Sequence, residues 1–185
     1  MKYNREKHHR RSVRLPGYDY SNPGAYFVTI CSWQKECLFG EIVDGNMKLN
    51  DYGKAVQQEW MCTEDKRPNI KLDEYVVMPN HFHGILVINY SMNVLRRGVL
   101  QYAPTGVGLR SPSQTIGAII RGFKSAVTKS INISRNIPDM HVWQKNYFER
   151  VIRNEKELFR IREYIRFNTV QWDMDEENPD VRIVP

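Results

Sequence analysis

Two histidines open an apolar run in the middle of the chain, in the string His81-Phe82-His83. Alternate side chains of a β-strand project from the same face, so both imidazoles would point to one side and Phe82 to the other. Two imidazoles that converge on one point are a common beginning of a divalent-metal site. A pair of hydrogen-bonded histidines without a ligand is the alternative, and the spacing alone leaves both interpretations open.

A second pair of interest is Tyr164 and Asn168, which lie four residues apart in a stretch with helical periodicity. That spacing is about one helical turn, so the two side chains would lie one above the other, beside an apolar stripe that runs from Leu158 to Ile165. A tyrosine hydroxyl there can reach the sheet, and an asparagine carbonyl oxygen is a hard ligand for a divalent ion. Spacing does not choose Tyr164 over Tyr147, and a tyrosine at the edge of an apolar helix face is often only structural.

Strands and helices alternate along the chain and must position these side chains. The periodicity and the turn signals predict, in chain order, a strand over 25–33, a hairpin of 41–43 with 47–49, a helix from Asn50 or Asp51 to about Glu64, strands over 72–78 and 81–88, a helix from Ser113 to about Ile131, strand-like pieces over 142–152, and a helix capped by Asn154 that extends to about Asn168. This order predicts an α+β fold of the ferredoxin-like (split βαβ) type, with an antiparallel sheet of four to five strands. Helices lie mainly on one face of such a sheet, and the other face is left for ligands.

The 185 residues, 41% of them apolar, are enough for one globular domain with a full core. We divide the chain into a basic N-terminal arm over 1–24, a main domain over 25–170 that contains a mobile basic loop over 91–112, and an acidic C-terminal tail over 171–185 whose residues 173–179 are expected to be solvated. No apolar run is long enough to span a bilayer, and we expect a cytoplasmic protein. The three cysteines form no C-x-x-C pair, which favours reduced thiols.

The basic balance, with a net charge of +6 and a pI near 9.2, is typical of a protein that binds a polyanion. Solvated surface charge is the alternative for each basic group. The candidate phosphate contacts are Arg10, Arg11 and Arg14 in the arm, Arg96, Arg97 and Arg110 in the loop, Arg121, Lys124 and Lys129 on the outer stripe of the helix after Ser113, and Lys145. Tyr18, Tyr20 and Tyr26, interleaved with the arm, are candidates for stacking on bases.

Four strings together resemble the single-tyrosine HUH transposases, and within them the REP-associated tyrosine transposase group of bacteria. They are RRSVRLPGYDYSNPGAYFVTI (10–30), VVMPNHFHGILVI (76–88), VWQKNYFERVIR (142–153) and YIRFN (164–168). The resemblance extends from about residue 10 to residue 178. It implies the HUH version of the split βαβ fold, and a transposase that acts as a monomer or a homodimer on single-stranded DNA beside a hairpin.

The resemblance also implies roles for particular residues. Tyr164 would attack a DNA phosphodiester and form a 5′-phosphotyrosine link with a free 3′-hydroxyl. His81 and His83 would hold Mg²⁺ or Mn²⁺, with Asn168 as the candidate third ligand. The chain has Asn168-Thr169 where related sequences have Asn-Pro, so this helix lacks its usual stop and could continue toward Trp172.

Two other functions are compatible with parts of the pattern. A domesticated protein that binds hairpin DNA without cutting it would keep the basic features and not need the tyrosine. A small metallohydrolase or a cupin-type oxygenase would use the H-x-H pair. The second fares poorly, because the next acidic residue after His83 is Asp139 and the only other downstream histidine is His141, which leaves too few ligands.

Overall fold

A computed structural model describes residues 22–89, 115–175 and 177–179 of the chain. Within these ranges the strands are β1 (Gly24–Cys31), β2 (Gly40–Val43), β3 (Asn46–Leu49), β4 (Ile70–Val77), β5 (His81–Ile88) and β6 (Phe148–Ile152). Four of them form one antiparallel sheet in the order β4-β5-β1-β6, and β2 and β3 form a separate hairpin. This sheet confirms the predicted α+β, split βαβ architecture, with four strands in the sheet.

The three α-helices of the described ranges are α1 (Asp51–Asp65), α2 (Ile116–Ser134) and α3 (Glu155–Phe167). Each begins at a side-chain cap, in which Asn50, Thr115 and Asn154 accept from the backbone N–H three residues on. Helix α3 ends at Phe167, although no proline follows Asn168. The predicted continuation toward Trp172 is therefore wrong for the α-helix, since the chain enters a turn and then a short 3-10 helix over Trp172–Met174.

Helices cover both faces of the sheet, but unequally. Helices α1 and α2 pack on one face and enclose the main core, in which Phe82 contacts Trp60 at 4.7 Å and Phe123 at 5.4 Å between ring centroids. Helix α3 packs on the other face through a small cluster of Phe27, Ile85, Ile152 and Ile165. Because side chains alternate along β5, the two histidines lie on the α3 face, opposite Phe82, as predicted.

An irregularity in β4 anchors α3 from the side. The pairing of β4 with β5 shifts between Leu72 and Tyr75, which leaves Asp73 and Glu74 out of the regular register. Asp73 accepts two bonds from the Arg162 guanidinium, with Nε at 2.8 Å from Oδ1 and Nη2 at 2.5 Å from Oδ2. One helical turn further, Arg166 donates from Nε and Nη2 to a single oxygen of Glu74, Oε1. These two ion pairs bracket Tyr164 on the helix.

Several predictions concern residues outside the described ranges, namely Tyr18, Tyr20 and the arginines of the arm (Arg10, Arg11 and Arg14) and of the 91–112 loop (Arg96, Arg97 and Arg110). Tyr26 lies inside them and is completely buried in the main core, so its predicted role in stacking on DNA bases is wrong. The solvated state predicted for 173–179 is wrong for Asn178, which is buried, and for Glu177, whose backbone carbonyl accepts from Asn80, whereas Asp173, Met174 and Pro179 are exposed. No helix of the described part is long and apolar enough to cross a membrane.

Candidate active site

The histidine pair and Tyr164 meet on the α3 face of the sheet. The imidazoles of His81 and His83 lie with ring centroids 4.5 Å apart, and both side chains are buried. His83 Nε2 is 3.1 Å from the Tyr164 hydroxyl, and His83 Nδ1 is 2.8 Å from Thr29 Oγ1 on the neighbouring strand. Tyr164 keeps 43% of its surface exposed, although its hydroxyl contacts the buried His83.

Asn80 determines which nitrogen of His81 carries the proton. Its amide nitrogen donates to the carbonyls of Lys35 at 3.1 Å and Glu177 at 2.6 Å, which fixes the orientation of the amide. The amide oxygen therefore faces His81 Nδ1, at 2.8 Å. An amide oxygen only accepts, so His81 carries its proton on Nδ1 and presents a bare lone pair at Nε2.

Two buried acceptors are left without hydrogen-bond partners among the described residues, and they belong to neighbouring side chains. They are His81 Nε2 and Asn168 Oδ1. The Asn168 amide is oriented by its nitrogen, which donates to Asp175 Oδ2 at 3.2 Å. Burial lowers the pKa of His81 and the Asn168 side chain opposes that shift, so the two side chains are neighbours. Unsatisfied buried polar atoms are costly, and a cation is one kind of group that would satisfy both acceptors.

The electrostatics keep both imidazoles neutral at physiological pH. Burial lowers the pKa of His83 well below its ordinary value, and the neighbouring His81 lowers it further. Burial also lowers the pKa of His81, against the opposing pull of Asp175 and Glu177. Metal ligation requires a deprotonated imidazole, so these two rings are ready to bind without first losing a proton.

The donor set fits a divalent cation. No group of three His, Cys, Asp or Glu side chains within the described ranges is arranged to hold a metal. Two imidazole nitrogens plus the Asn168 carbonyl oxygen form a mixed set instead, with the negative charge of Asp175 and Glu177 nearby. Mn²⁺ accepts both nitrogen and oxygen ligands, whereas Mg²⁺ prefers oxygen and retains several waters. Of the residues predicted to hold the ion, His81 and Asn168 each have an acceptor atom without a hydrogen-bond partner among the described residues, whereas both ring nitrogens of His83 are hydrogen-bonded, to Thr29 and Tyr164.

Sequence reasoning missed the contribution of residues 175 and 177. The Glu177 carboxylate pairs with Lys35 Nζ at 2.8 Å and lies 3.7 Å from Cys31 Sγ. Burial, reinforced by that carboxylate, raises the pKa of Cys31 to about 12, so the thiol is inert. The string DMDEENP gave no signal of this packing, because a run of acids is usually solvated.

A cleft of about 560 Å³ opens beside these groups. Its lining residues come from β1, β5, β6, α3 and the segment after α3, and they are Phe27, Thr29, His83, Phe148, Tyr164, Asn168, Gln171, Met174, Asp175 and Glu177. The cleft is thus lined by the predicted nucleophile Tyr164, by His83 and by the predicted third ligand Asn168. A substrate in the cleft would contact all three side chains.

The structure separates Tyr164 from Tyr147, which the sequence could not do. Tyr147 packs against the main core on the other face of the sheet, and its hydroxyl donates to Glu149 at 2.6 Å. Tyr164 alone of the two lines the cleft.

The predicted basic contacts within the described ranges lie away from the histidines. Arg121 and Lys129 are exposed on α2, in the layer across the sheet. The Lys124 ammonium is 2.6 Å from the Gln144 carbonyl and 3.3 Å from the Lys145 carbonyl, so it holds a loop in place. Lys145 is exposed on that loop, three residues before Phe148 at the rim of the cleft.

Comparisons with known proteins agree with this architecture. No protein-family model matches the chain. A solved structure of a REP-associated tyrosine transposase bound to a REP hairpin is similar, with a TM-score of 0.55 and 16% identity, over 85% of this chain and 73% of that chain. This similarity confirms the fold. An uncharacterized protein of Haemophilus influenzae (strain Rd) is 45% identical over 175 residues, which are 95% of this chain and 96% of the relative. The chain therefore belongs to the same protein family as this Haemophilus influenzae relative.

Proposed function

We propose that the protein is a transposase that cleaves and rejoins single-stranded DNA, with Tyr164 as the nucleophile and a divalent cation held by His81, His83 and Asn168. The observation that carries this proposal is the meeting of four groups in one place. The Tyr164 hydroxyl lies 3.1 Å from His83 Nε2, beside the unpartnered His81 Nε2 and Asn168 Oδ1.

The comparison supports DNA as the substrate class. The solved structure with the same fold is a transposase that holds a REP hairpin, and the motifs quoted from the sequence match the REP-associated group. Lys145 is exposed on the loop before Phe148, a residue of the cleft lining, and is a candidate contact for the phosphate chain of such a strand. We expect a single-stranded segment beside a hairpin, and a monomer or a homodimer as the active form.

The chemical step follows from the position of the phenol. Tyr164 Oη attacks the phosphorus of a phosphodiester, an O–P bond forms, and the bond from phosphorus to the 3′-oxygen breaks. The phenol loses a proton and the departing 3′-oxygen gains one, so the products are a 5′-phosphotyrosine and a 3′-hydroxyl. The reverse attack by another 3′-hydroxyl rejoins a strand, and the energy of the broken bond is kept in the link, so no nucleotide cofactor is needed.

Activation of the phenol sets the energetic demand on the site. A phenol with an ordinary pKa of about 10 is only about 0.1% ionised at pH 7, which corresponds to about 4 kcal/mol. A divalent cation at this site would supply the positive charge that polarises the phosphate. Thr29 and Asn80 hold the two imidazoles in orientation, and Phe27 packs against Tyr164 edge to face at 6.1 Å between ring centroids.

The test is a denaturing gel with end-labelled hairpin DNA that carries the single-stranded flanks of the gene, with Mn²⁺ or Mg²⁺ and with EDTA. Wild-type protein should give a protease-sensitive covalent adduct that EDTA abolishes. Tyr164→Phe should lose the adduct, and Tyr147→Phe is the matched control that should keep it. A hairpin that is shifted on a native gel but gives no adduct would identify a DNA-binding protein without cleavage chemistry.

A further inference from the structure

The cleft beside Tyr164 is unlike a phosphate-binding groove. Its described lining contains no lysine and no arginine, and it includes the acids Asp175 and Glu177. Lys35 pairs with Glu177 at 2.8 Å, so Asp175 is the carboxylate that would repel a phosphate chain, and the lining offers such a chain no cationic side chain. The cleft also presents apolar surface, from Phe27, Phe148 and Met174. Such a lining is suited to an uncharged, flat ligand.

We infer that this cleft is a subsite for a nucleobase. The base belongs to the nucleotide next to the phosphate that Tyr164 attacks, and it stacks on Phe148. The inference rests on the proposed function for the identity of the substrate. The inference goes beyond the proposed function because it assigns base recognition in single-stranded DNA to a particular residue and cleft.

Phe148 is built to act as a rigid platform. It is the first residue of β6, where it pairs with Thr29 of β1, and β6 is the edge strand of the sheet. Its ring packs against Phe27 at 6.3 Å between centroids, and Phe27 in turn stacks on His83 at 5.5 Å. Phe148 nevertheless keeps 38% of its surface exposed. A base that stacks on this ring would therefore lie against a side chain coupled to the catalytic histidine.

The segment after α3 adds a polar side chain, Gln171, to the cleft lining beside the apolar residues. Gln171 and Met174, both exposed, belong to the turn and the 3-10 helix that follow α3. Backbone bonds hold that segment, including Gln171 N–H to the Phe167 carbonyl at 3.1 Å and Met174 N–H to the Gln171 carbonyl at 2.9 Å. An amide offers both a donor and an acceptor to a base edge. The cleft volume of about 560 Å³ is in the range of small-ligand sites, and suits one unstacked nucleotide rather than a duplex.

The experiment compares a set of fluorescein-labelled single strands in the Tyr164→Phe background, where binding is measured without covalent chemistry. One probe is the 12-nucleotide single-stranded flank of the gene, and each of the others has one nucleotide of it replaced by an abasic site. Dissociation constants are measured by fluorescence anisotropy with Mn²⁺ present. At one position, removal of the base should weaken binding by about 10-fold, which is typical of the loss of one base–aromatic stack.

Phe148→Ala should erase that difference, because the base and its abasic counterpart then bind alike. Phe148→Tyr should restore it, and Phe148→Leu, which keeps the apolar bulk against Phe27, should not. Phe159→Ala is the matched control, since this exposed phenylalanine of α3 does not line the cleft. It should leave the abasic penalty unchanged.

The outcomes separate this inference from the proposed function. If the covalent adduct forms but Phe148→Ala keeps the full abasic penalty, the base subsite is wrong and the transposase chemistry stands. If the penalty depends on Phe148 but wild-type protein gives no adduct, the subsite stands in a binding protein. If no abasic position weakens binding, or the flank does not bind at all, the inference is overturned.

Discussion

Replacement of Asn80 by leucine should weaken divalent-metal binding through a change in the protonated nitrogen of His81. In the wild type the Asn80 oxygen holds the proton on His81 Nδ1, at 2.8 Å, and Nε2 is left bare beside Asn168. Leucine has a similar volume but no acceptor. The proton then gains by moving to Nε2, where it can be donated to the Asn168 oxygen. His81 Nε2 and the Asn168 oxygen then form a hydrogen bond with each other, and His81 Nε2 is no longer available to a metal ion.

The expected magnitude follows from the bonds that are lost. Partners that orient metal-ligating histidines are typically worth about 10- to 100-fold in metal affinity, which is about 1.4–2.7 kcal/mol. Asn80 is fully buried and also donates to the Lys35 and Glu177 carbonyls. Loss of these bonds should reduce the free energy of unfolding by about 2–4 kcal/mol. A fall of about 4–16 °C in Tm is expected for a chain of this size, so the variant remains folded at room temperature.

Mn²⁺ affinity is measured by electron paramagnetic resonance or calorimetry. The chemical shifts of the His81 ring nitrogens are measured by ¹⁵N NMR on metal-free protein. The shifts should report an unprotonated Nε2 in the wild type and a protonated Nε2 in Asn80→Leu. Thr63→Val is the stability control, since it removes a buried hydroxyl that bonds the Glu59 carbonyl at 3.0 Å, on α1 across the sheet. It should lower Tm and leave Mn²⁺ affinity unchanged. Wild-type Mn²⁺ affinity in Asn80→Leu would refute the reasoning.

Three further outcomes are expected. Burial lowers the pKa values of His81 and His83 below the ordinary 6.5. Below pH 6.5 the unfolded chain therefore binds more protons than the folded chain, so the free energy of unfolding should fall as the pH drops from 6.5 toward the pKa values of the folded state. Thermal melts at about pH 7.5 and 5.5 should show this loss, and replacement of both histidines by glutamine should reduce it. Gly84→Ala should lower Tm by about 2–12 °C, since a Cβ there would lie 2.7 Å from the Trp60 ring; an unchanged Tm would contradict the packing. At about pH 8, iodoacetamide should modify the exposed Cys37 well before Cys31, whose pKa is about 12, as mass spectrometry of native protein can show; equal rates would count against the burial of Cys31.

The parts of the site that the sequence could predict are those set by local periodicity. The period of two in a strand placed His81 and His83 on one face, and the helical turn placed Tyr164 and Asn168 together. The caps at Asn50 and Asn154 likewise follow from a few neighbouring residues. These predictions needed no knowledge of contacts between distant segments.

The parts that the sequence could not predict depend on contacts across long separations. Asn80 meets the Glu177 carbonyl 97 residues later, and Asp73 meets Arg162 across 89 residues. Pro79-Asn80 is a turn signal between two strands, and nothing local shows that its amide is buried or oriented. The acids of the C-terminal segment carried a pattern typical of solvated charge, and only the fold shows that Asp175 and Glu177 pack beside the histidines.

Under the proposed function, binding of a cation through His83 Nε2 requires that the Tyr164 hydroxyl first leave that nitrogen. His83 Nε2 has a single position for a proton or a lone pair, and the Tyr164 hydroxyl occupies that position at 3.1 Å. Ligation through Nε2 therefore requires that the hydroxyl withdraw. Helix α3 is attached through Leu158, Ile161 and Ile165, which pack in the small apolar cluster, and through the ion pairs of Arg162 and Arg166. The sheet that carries the histidines has the larger core on its other face and need not move. In the proposed mechanism Tyr164 lies on α3 and the candidate ligand Asn168 follows it directly, whereas His81 and His83 lie on the sheet. Tyr164 would therefore leave His83 and approach a phosphate while the two histidines keep their positions.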